Sequence, residues 1–169
     1  MDPATQLRAL PDDLALRIAV EDFYARYVEI ADDPQRLEVW PDLFTEDGQY
    51  RVLPQENWQQ GWPLALVRAE SRGMLKDRVS AAQGINTYTP RVMRHLVSNI
   101  RCSGGSEGEI ETKACFAVFE TMIDEPSRVF ATGLYRDRLV EETDGVLRLR
   151  EHIVVLDNDL VPNSIVYPL

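Results

Sequence analysis

Histidine and cysteine are scarce in this chain, which contains two of each. A Rieske iron–sulfur cluster needs two cysteines and two histidines in paired short motifs, and neither Cys102 nor Cys115 has a histidine at that spacing. A mononuclear iron site needs two histidines and a carboxylate that converge, whereas His95 and His152 fall on different predicted strands. The scarcity therefore predicts that this chain holds neither a Rieske cluster nor a mononuclear iron.

The chain also lacks long apolar runs, an excess of positive charge and the motifs of nucleophilic catalysis. No apolar run approaches the ~20 residues that span a bilayer, and the first residues lack the basic and apolar regions of a secretory signal. The net charge of −10 disfavours nucleic acid, because an acidic surface repels phosphate. No G-x-S-x-G elbow occurs, and the glycine-rich segment 103–108 reads as a hairpin loop. These absences predict a soluble, cytoplasmic protein without a membrane or nucleic-acid partner.

What the sequence contains is the pattern of one α+β domain over residues 1–169. Helical periodicity comes first and long alternating strands follow, which indicates helices packed on one face of an antiparallel sheet. The predicted fold is a cystatin-like cone, with N-terminal helices on a long, strongly curved, mainly antiparallel sheet. The predicted helices cover residues 12–31, 34–40 and 71–83, and the strands cover 48–52, 64–70, 91–102, 109–123 and two stretches within 128–158. A flexible arm is predicted at 1–11, a loop at 87–90 and an extended surface tail at 159–169.

The two strands within 128–158 are predicted to form a hairpin with a defined register. Asp144 and Gly145 are typical of a two-residue type I′ loop, because both central residues of that turn need positive φ. The loop sets every pair beyond it, and a shift of one residue would exchange the two faces of the strand. The predicted pairs are Asp137 with His152, Arg138 with Glu151, Glu141 with Arg148, Val140 with Leu149, and Leu134 with Val155.

One set of residues offers a catalytic alternative. Cone-shaped folds often enclose a pocket, and a histidine there can act as a general acid or base with neighbouring hydroxyls and carboxylates, as in a dehydratase or isomerase. The candidates are His95, Tyr24, Tyr27, Asp47 and Asp157. A structural role for His95, with one satisfied hydrogen bond on a half-buried strand, is the other explanation. A single histidine without a fixed partner favours the structural role.

Five segments of the chain form a recognisable series. They are WPDLFTEDGQYRV (40–52), ESRGMLKDRV (70–79), RVMRHLVSNI (91–100), GLYRDRL (133–139) and LRLREHIVVLD (147–157). In this order and spacing they resemble the small (β) subunit of aromatic-ring-hydroxylating dioxygenases, from about residue 15 to the Tyr-Pro-Leu ending. The second segment and that ending are most similar to the branch that acts on substituted benzoates, such as terephthalate or salicylate-type acids.

The resemblance implies a division of labour between two subunits. In this family the α subunit carries the Rieske cluster and the mononuclear iron, and the β subunit is a cystatin-like cone without a cofactor. The two assemble as α3β3 with β–β contacts, and a reductase delivers electrons from NAD(P)H so that O2 is added to the aromatic ring. The resemblance therefore implies a structural subunit that supplies no catalytic residue of its own.

Two tryptophans indicate where this chain would contact its partners. Trp58 and Trp62 lie in a polar loop, where exposed tryptophans suggest a protein interface, whereas Trp40 is predicted to lie in the core. The full set of interface candidates, chosen by position and residue type, is Trp58, Trp62, Arg68, Arg72, Arg91 and Tyr167, together with the tail from Asn163 to Leu169.

Three functions remain open at this point, and the cone interior separates them. A filled, closed cone favours the oxygenase subunit. An open apolar pocket in which His95 and a carboxylate converge favours a stand-alone dehydratase or isomerase. An open pocket without convergent polar groups favours a module that binds a small ligand without chemistry.

Overall fold

The computed structural model describes residues 12–84, 90–162 and 164–169. The predicted arm at 1–11 and residues 87–89 of the predicted 87–90 loop lie outside these ranges. The helices are α1 (Asp12–Ala31), α2 (Gln55–Gln60) and α3 (Arg72–Gly84), and two 3-10 helices cover Leu37–Leu43 and Ser106–Gly108. The strands are β1 (Phe44–Pro54), β2 (Val67–Ala69), β3 (Arg91–Gly104), β4 (Ile110–Met122), β5 (Arg128–Glu141) and β6 (Leu147–Leu156).

Six strands of the described residues form one sheet in the order β2-β1-β6-β5-β4-β3. Neighbouring strands are antiparallel except β1 and β6, which are parallel. Strands β3, β4 and β5 are 13 or 14 residues long, against a usual length of about 5–6. The predicted α+β fold, with helices on a long, mainly antiparallel sheet, is confirmed.

Helix α1 supplies the face that packs into the sheet. Val20, Tyr24, Tyr27 and Ala31 recur at intervals of three and four residues, which places them on one side of the helix, and all four are buried. Trp40, predicted to lie in the core, is fully buried. The core therefore lies between one face of the sheet and α1, the first 3-10 helix and α3, which adds the buried Leu75 and Val79.

Strand β1 begins at Phe44, earlier than the predicted start at Gly48, because Asp47 and Gly48 form an irregularity inside the strand. A Cβ atom at position 48 would lie 2.8 Å from the Cβ of Phe44 and 2.9 Å from the main-chain oxygen of Leu149. Only glycine therefore allows β1 to approach β6 at this point. The neighbouring predictions are also displaced, since the helix predicted at 34–40 is the 3-10 helix Leu37–Leu43 and the strand predicted at 64–70 is confined to β2.

Three predicted pairs of the β5–β6 hairpin are confirmed. The structure pairs Asp137 with His152, Arg138 with Glu151, and Leu134 with Val155. The side chains of the first two pairs also bind each other, with Nδ1 of His152 2.8 Å from Asp137 and a guanidinium nitrogen of Arg138 3.0 Å from Glu151.

The two predicted pairs nearer the loop are wrong, because Arg150 is an extra residue on β6. Val140 faces Arg148 rather than Leu149, and Glu141 faces Leu147 rather than Arg148. Arg148 instead binds the carboxylates of Glu142 and Asp144.

The hairpin loop is one residue longer than the predicted type I′ loop. The amide of Glu142 donates to Val146 at 3.1 Å, and only Gly145 of the loop has positive φ, at 74°. A three-residue loop that ends in a left-handed glycine is a common hairpin connection. The extra loop residue shifts the pairing by one, and the bulge at Arg150 restores the predicted register beyond it.

The tail after β6 forms neither helix nor strand, but it does not stay on the surface. Pro168 and Leu169 are buried, and Leu169 has no exposed area. The prediction of a surface tail is therefore wrong for its last residues, because side chains of the cone interior bind Leu169.

Candidate functional sites in the cone interior and on its surface

A cluster of polar side chains lies at the centre of the cone, around Asp137. The carboxylate of Asp137 lies 2.8 Å from Nδ1 of His152 and accepts a hydrogen bond from the Tyr24 hydroxyl at 2.6 Å. It also accepts the main-chain N–H of Ile153 at 3.3 Å, and the Tyr24 hydroxyl lies 2.6 Å from the Thr112 hydroxyl. Asp137 and His152 are 3% and 0% exposed. A buried carboxylate is stable only when it is hydrogen-bonded in this way.

Leu169 closes the same cluster from the other side. Its main-chain oxygen accepts a hydrogen bond from the Tyr27 hydroxyl at 2.8 Å and lies 3.1 Å from Nε2 of His152. Its N–H donates to the Tyr50 hydroxyl at 3.0 Å. Both ring nitrogens of His152 therefore have partners, Asp137 on one side and the tail on the other.

The tyrosines around this cluster are held as neutral phenols. Burial, followed by the charge of Asp137 and its hydrogen bond, raises the pKa of Tyr24 well above its usual value. Burial and the neighbouring Tyr50 raise the pKa of Tyr27 in the same way. Burial also raises the pKa of Tyr135, to which Tyr50, Asp137 and Asp32 add. The interior hydroxyls therefore stay protonated and do not act as bases.

His95 belongs to a second Asp–His pair, on the other side of the interior. Its Nδ1 lies 2.7 Å from Asp32 at the end of α1, and its main-chain N–H donates to the same carboxylate. Arg94 lies 3.6 Å from Asp32. Nε2 of His95 is buried and has no hydrogen-bond partner among the described residues.

The candidate catalytic set predicted around His95 does not come together. Asp47 is exposed and lies beside Thr45 and Arg150, and Asp157 is exposed as well. Tyr24 binds Asp137, and Tyr27 binds Leu169. The polar centre forms instead around His152. The hairpin register was the sequence signal for its Asp137 partner, whereas no local pattern indicated the contact with Leu169.

A second buried cluster joins the sheet to the tail. Glu120, which is 0% exposed, binds Arg91 and Arg128 at 2.7 Å each. Burial alone would raise the pKa of Glu120, but the hydrogen bonds from Arg128 and Arg91 outweigh it and lower that pKa. Arg91 also donates to the main-chain oxygen of Ser164 at 2.9 Å and lies 5.8 Å from the ring centre of Tyr167. The prediction of Arg91 as a surface contact is therefore corrected, because its side chain is 1% exposed and is used inside the subunit.

The remaining interface candidates differ in how much surface they offer. Trp62 is 51% exposed, whereas Trp58 is half-buried with the guanidinium of Arg136 5.3 Å from its ring centre. Arg68 is exposed and binds Glu70 beside it. Arg72 is partly buried and donates to the main-chain oxygen of Phe44. Trp62 and Arg68 are the candidates that remain accessible, and Tyr167 is half-buried under Arg91.

Two apolar patches are exposed on the outside of the subunit. The first, which we call the loop patch, consists of Trp62, Leu64 and Leu66, each at least half exposed. The second, the edge patch, consists of Val92 and Leu96, which are both 57% exposed and flank the exposed Arg94 on one face of β3. Exposed apolar groups of this kind indicate contact surfaces.

The described residues offer no obvious site for a metal. Within residues 12–84, 90–162 and 164–169, no three His, Cys, Asp or Glu side chains are grouped closely enough to hold an ion. Cys102 and Cys115 are free thiols. None of the helices in these ranges has both the length and the apolar character to cross a membrane.

Comparisons with known proteins agree on one family. A family model described as ring hydroxylating beta subunit matches residues 28–163. The small subunit of anthranilate 1,2-dioxygenase from Burkholderia cepacia is 32% identical over 160 residues, which cover 95% of this chain and 98% of that subunit. The beta 1 subunit of the terminal oxygenase component of terephthalate 1,2-dioxygenase from Comamonas sp is 33% identical over 152 residues, which cover 90% of this chain and 97% of that subunit.

A solved structure shares the fold as well as the sequence. It is the beta subunit assigned to an aromatic-ring-hydroxylating dioxygenase from Novosphingobium aromaticivorans, with a TM-score of 0.81 and 32% identity. The match covers 91% of this chain and 96% of that subunit. The similarity therefore extends over the cone, its helices and its long strands.

Proposed function

This chain belongs to the ring hydroxylating beta subunit family, and we propose that it serves there as the non-catalytic, cofactor-free subunit that supports an iron-bearing α subunit. It is a component of an aromatic-ring-hydroxylating dioxygenase. The Rieske cluster and the mononuclear iron would lie on the α subunit. A reductase would deliver electrons to the assembled complex in the cytoplasm, and the complex would oxidise the ring with O2.

The observation that supports the non-catalytic role is that both histidines of the cone are buried and each is bound to an aspartate of the same chain. An acid–base enzyme needs an accessible histidine beside a space for its substrate. Here the Asp137–His152 pair is buried. The ring nitrogen of His152 that does not face Asp137, Nε2, lies 3.1 Å from the main-chain oxygen of Leu169. His95 is also buried, and Asp47 and Asp157, the other predicted members of its set, lie at the surface.

The proposed substrate class is an aromatic carboxylic acid. The two curated relatives act, by their names, in the dioxygenation of anthranilate and terephthalate. Both compounds are benzoates with a second substituent. We therefore propose that the complex oxidises a substituted benzoate in a pocket of the α subunit.

The proposed assembly is an α3β3 hexamer with β–β contacts. The loop patch and the edge patch supply exposed apolar surface on opposite ends of the sheet order, near β2 and on β3. Two separate patches suit a subunit that contacts more than one neighbour. A stable contact buries more than about 1,000 Å² in total, which is more than either patch offers alone, so charged neighbours such as Arg68 would belong to the contact.

Purification of the tagged chain from its native cell tests this function. The expected result is a partner of large-subunit size that brings iron and acid-labile sulfide, while the chain expressed alone contains neither. Trp62→Ala is expected to reduce recovery of the partner, and Gln59→Ala, which changes a nearby exposed residue, serves as its control. A chain that purifies without a partner from its native cell would contradict the proposal.

A further inference from the structure

We propose that the cone interior is a binding site for a small molecule that combines a carbonyl or carboxylate with a compact apolar group, and that Leu169 occupies this site as an intramolecular ligand. The proposal concerns the inside of the cone and is independent of the proposed subunit role. It assigns a ligand-recognition role to Tyr27, Tyr50 and His152.

The first argument is the way in which Leu169 is bound. Main-chain groups in a protein interior normally pair within a helix or sheet, but Leu169 belongs to neither. Its two main-chain polar atoms are instead bound by side chains from three elements: Tyr27 on α1, Tyr50 on β1 and His152 on β6. Convergence of polar side chains on one buried group within an apolar shell is the arrangement of a ligand site.

The second argument is that the side chains of the site are positioned without the tail. Asp137 fixes one nitrogen of His152 at 2.8 Å, and the ring of Tyr135 packs edge-on against the imidazole at 4.8 Å between centres. The ring of Tyr50 stacks on the imidazole at 5.5 Å between centres. Removal of the tail would therefore leave a preformed polar site.

The third argument is that a separate set of contacts holds the tail in place. Arg78 on α3 donates to the main-chain oxygen of Ile165 at 2.6 Å, and Arg91 on β3 donates to that of Ser164 at 2.9 Å. We call this pair of arginines the latch. The latch binds the tail outside the cone centre, so it can be weakened without a change in the residues that bind Leu169.

The contacts of Leu169 define the class of ligand. Tyr27 and His152 converge on one oxygen at 2.8 and 3.1 Å, which suits a carbonyl or a carboxylate. Tyr50 accepts an N–H, and the buried leucine side chain marks the apolar part. Tyr135 adds a buried hydroxyl that has no hydrogen-bond partner among the described residues. N-acetyl-L-leucine carries the acceptor, the N–H and the apolar group in one small molecule.

Titration with N-acetyl-L-leucine, followed by two-dimensional NMR, tests the site. The first variant ends at Val166 and so lacks Tyr167, Pro168 and Leu169. The expected result is binding at least tenfold tighter than to the chain with the tail, together with chemical-shift changes around His152. N-acetyl-D-leucine is the matched control and is expected to bind more weakly. A folded shortened variant that binds the L-compound no better than the full chain does, or no better than the D-compound, would overturn the proposal.

A second variant keeps the experiment decisive if the shortened chain does not fold. Arg78→Ala removes one arm of the latch and none of the side chains that bind Leu169, and Arg36→Ala changes an exposed arginine that binds Glu29 instead. Arg78→Ala is expected to speed hydrogen exchange at the Leu169 amide at least tenfold and to permit binding of N-acetyl-L-leucine. Arg36→Ala is expected to do neither. If the two variants behave alike, Leu169 is an ordinary core residue and the interior is not a ligand site.

Discussion

The interior of the cone has a polar centre within its apolar core, whereas the outer surface has apolar side chains among its charged ones. The interior holds an aspartate, a histidine and the hydroxyls of four tyrosines, and each of these residues is 3% exposed or less. The outer surface exposes apolar side chains in the loop patch and the edge patch. Most buried residues of the subunit are apolar, as in other proteins, so the polar centre and the exposed apolar side chains are each exceptions to the usual arrangement. The interior polar groups are bound to one another and to the tail of the same chain, whereas contact with another chain is the role that we propose for the outer apolar groups.

The largest expected effect comes from breaking the interior cluster. His152→Ala removes the partner of Asp137 and leaves a buried carboxylate without its histidine, which costs about 3–5 kcal/mol of the free energy of unfolding. His95→Ala is the matched control, because its aspartate, Asp32, would still have the positive charge of Arg94 nearby. We expect this variant to lose about 1–3 kcal/mol of the free energy of unfolding. Urea unfolding of both variants measures the difference. If both variants lost the same free energy of unfolding, the contact of His152 with the tail would add nothing to the stability of its Asp–His pair.

The second effect concerns the buried charges that join the sheet to the tail. Glu120→Gln removes the negative partner of Arg91 and is expected to cost about 3 kcal/mol of the free energy of unfolding. Because the folded-state pKa of Glu120 lies below its unfolded value, its contribution is present above the unfolded pKa and is lost as the pH falls through the folded pKa. The variant should therefore lose part of the acid dependence of stability. Glu111→Gln, at an exposed position on β4, should retain it.

The comparison also explains what the sequence could predict. The pairing of Asp137 with His152 followed from strand alternation, because a local register extends along two neighbouring strands. The loop type could not be predicted, since Asp-Gly suits both a two-residue loop and a three-residue loop. The compensating bulge at Arg150 gave no signal either, so the charged pair nearest the loop was mispredicted.

Contacts between distant segments were beyond any local pattern. Asp32 and His95 are 63 residues apart, and Tyr50 and Leu169 are 119 residues apart. The tail has no periodicity, and its prolines indicate only an extended chain. Its burial depends on hydroxyl and imidazole groups of the cone, which the sequence does not place near one another. The family resemblance identified the correct family because it rested on segments in series rather than on these contacts.

The third effect separates the outer surface from the interior. Trp62→Ala is expected to weaken assembly with the α subunit by at least tenfold, or about 1.4 kcal/mol of binding free energy. The free energy of unfolding of the isolated chain should fall by less than in His152→Ala, because about half of Trp62 already lies in solvent. Analytical ultracentrifugation gives the first quantity and urea unfolding the second. If Trp62→Ala destabilised the isolated chain but left assembly unchanged, Trp62 would stabilise the subunit, as His152 does, and would not contact the α subunit.

The smallest effect lies at the tip of the hairpin. Hydrogen bonds from Arg148 and from the Val146 amide lower the pKa of Asp144 to about 2. The folded pKa is depressed, so the stabilisation is present above the ordinary aspartate pKa and is lost as the pH falls through about 2. An NMR titration should show the Asp144 carboxyl and the Val146 amide changing together in that range. Asp144→Asn should remove the transition, and a midpoint near 4 would contradict the contact.

Oxygen consumption by the assembled complex tests the central claim most directly. The complex is assembled with the His95→Gln variant of this chain and assayed with an aromatic acid and the reductase. The rate of oxygen consumption is then divided by the iron content of the complex. The account predicts an unchanged rate per iron, because His95 is bound to Asp32 and takes no part in the chemistry. A rate reduced more than tenfold in an intact, iron-loaded complex would contradict the account, since this chain would then supply a catalytic group.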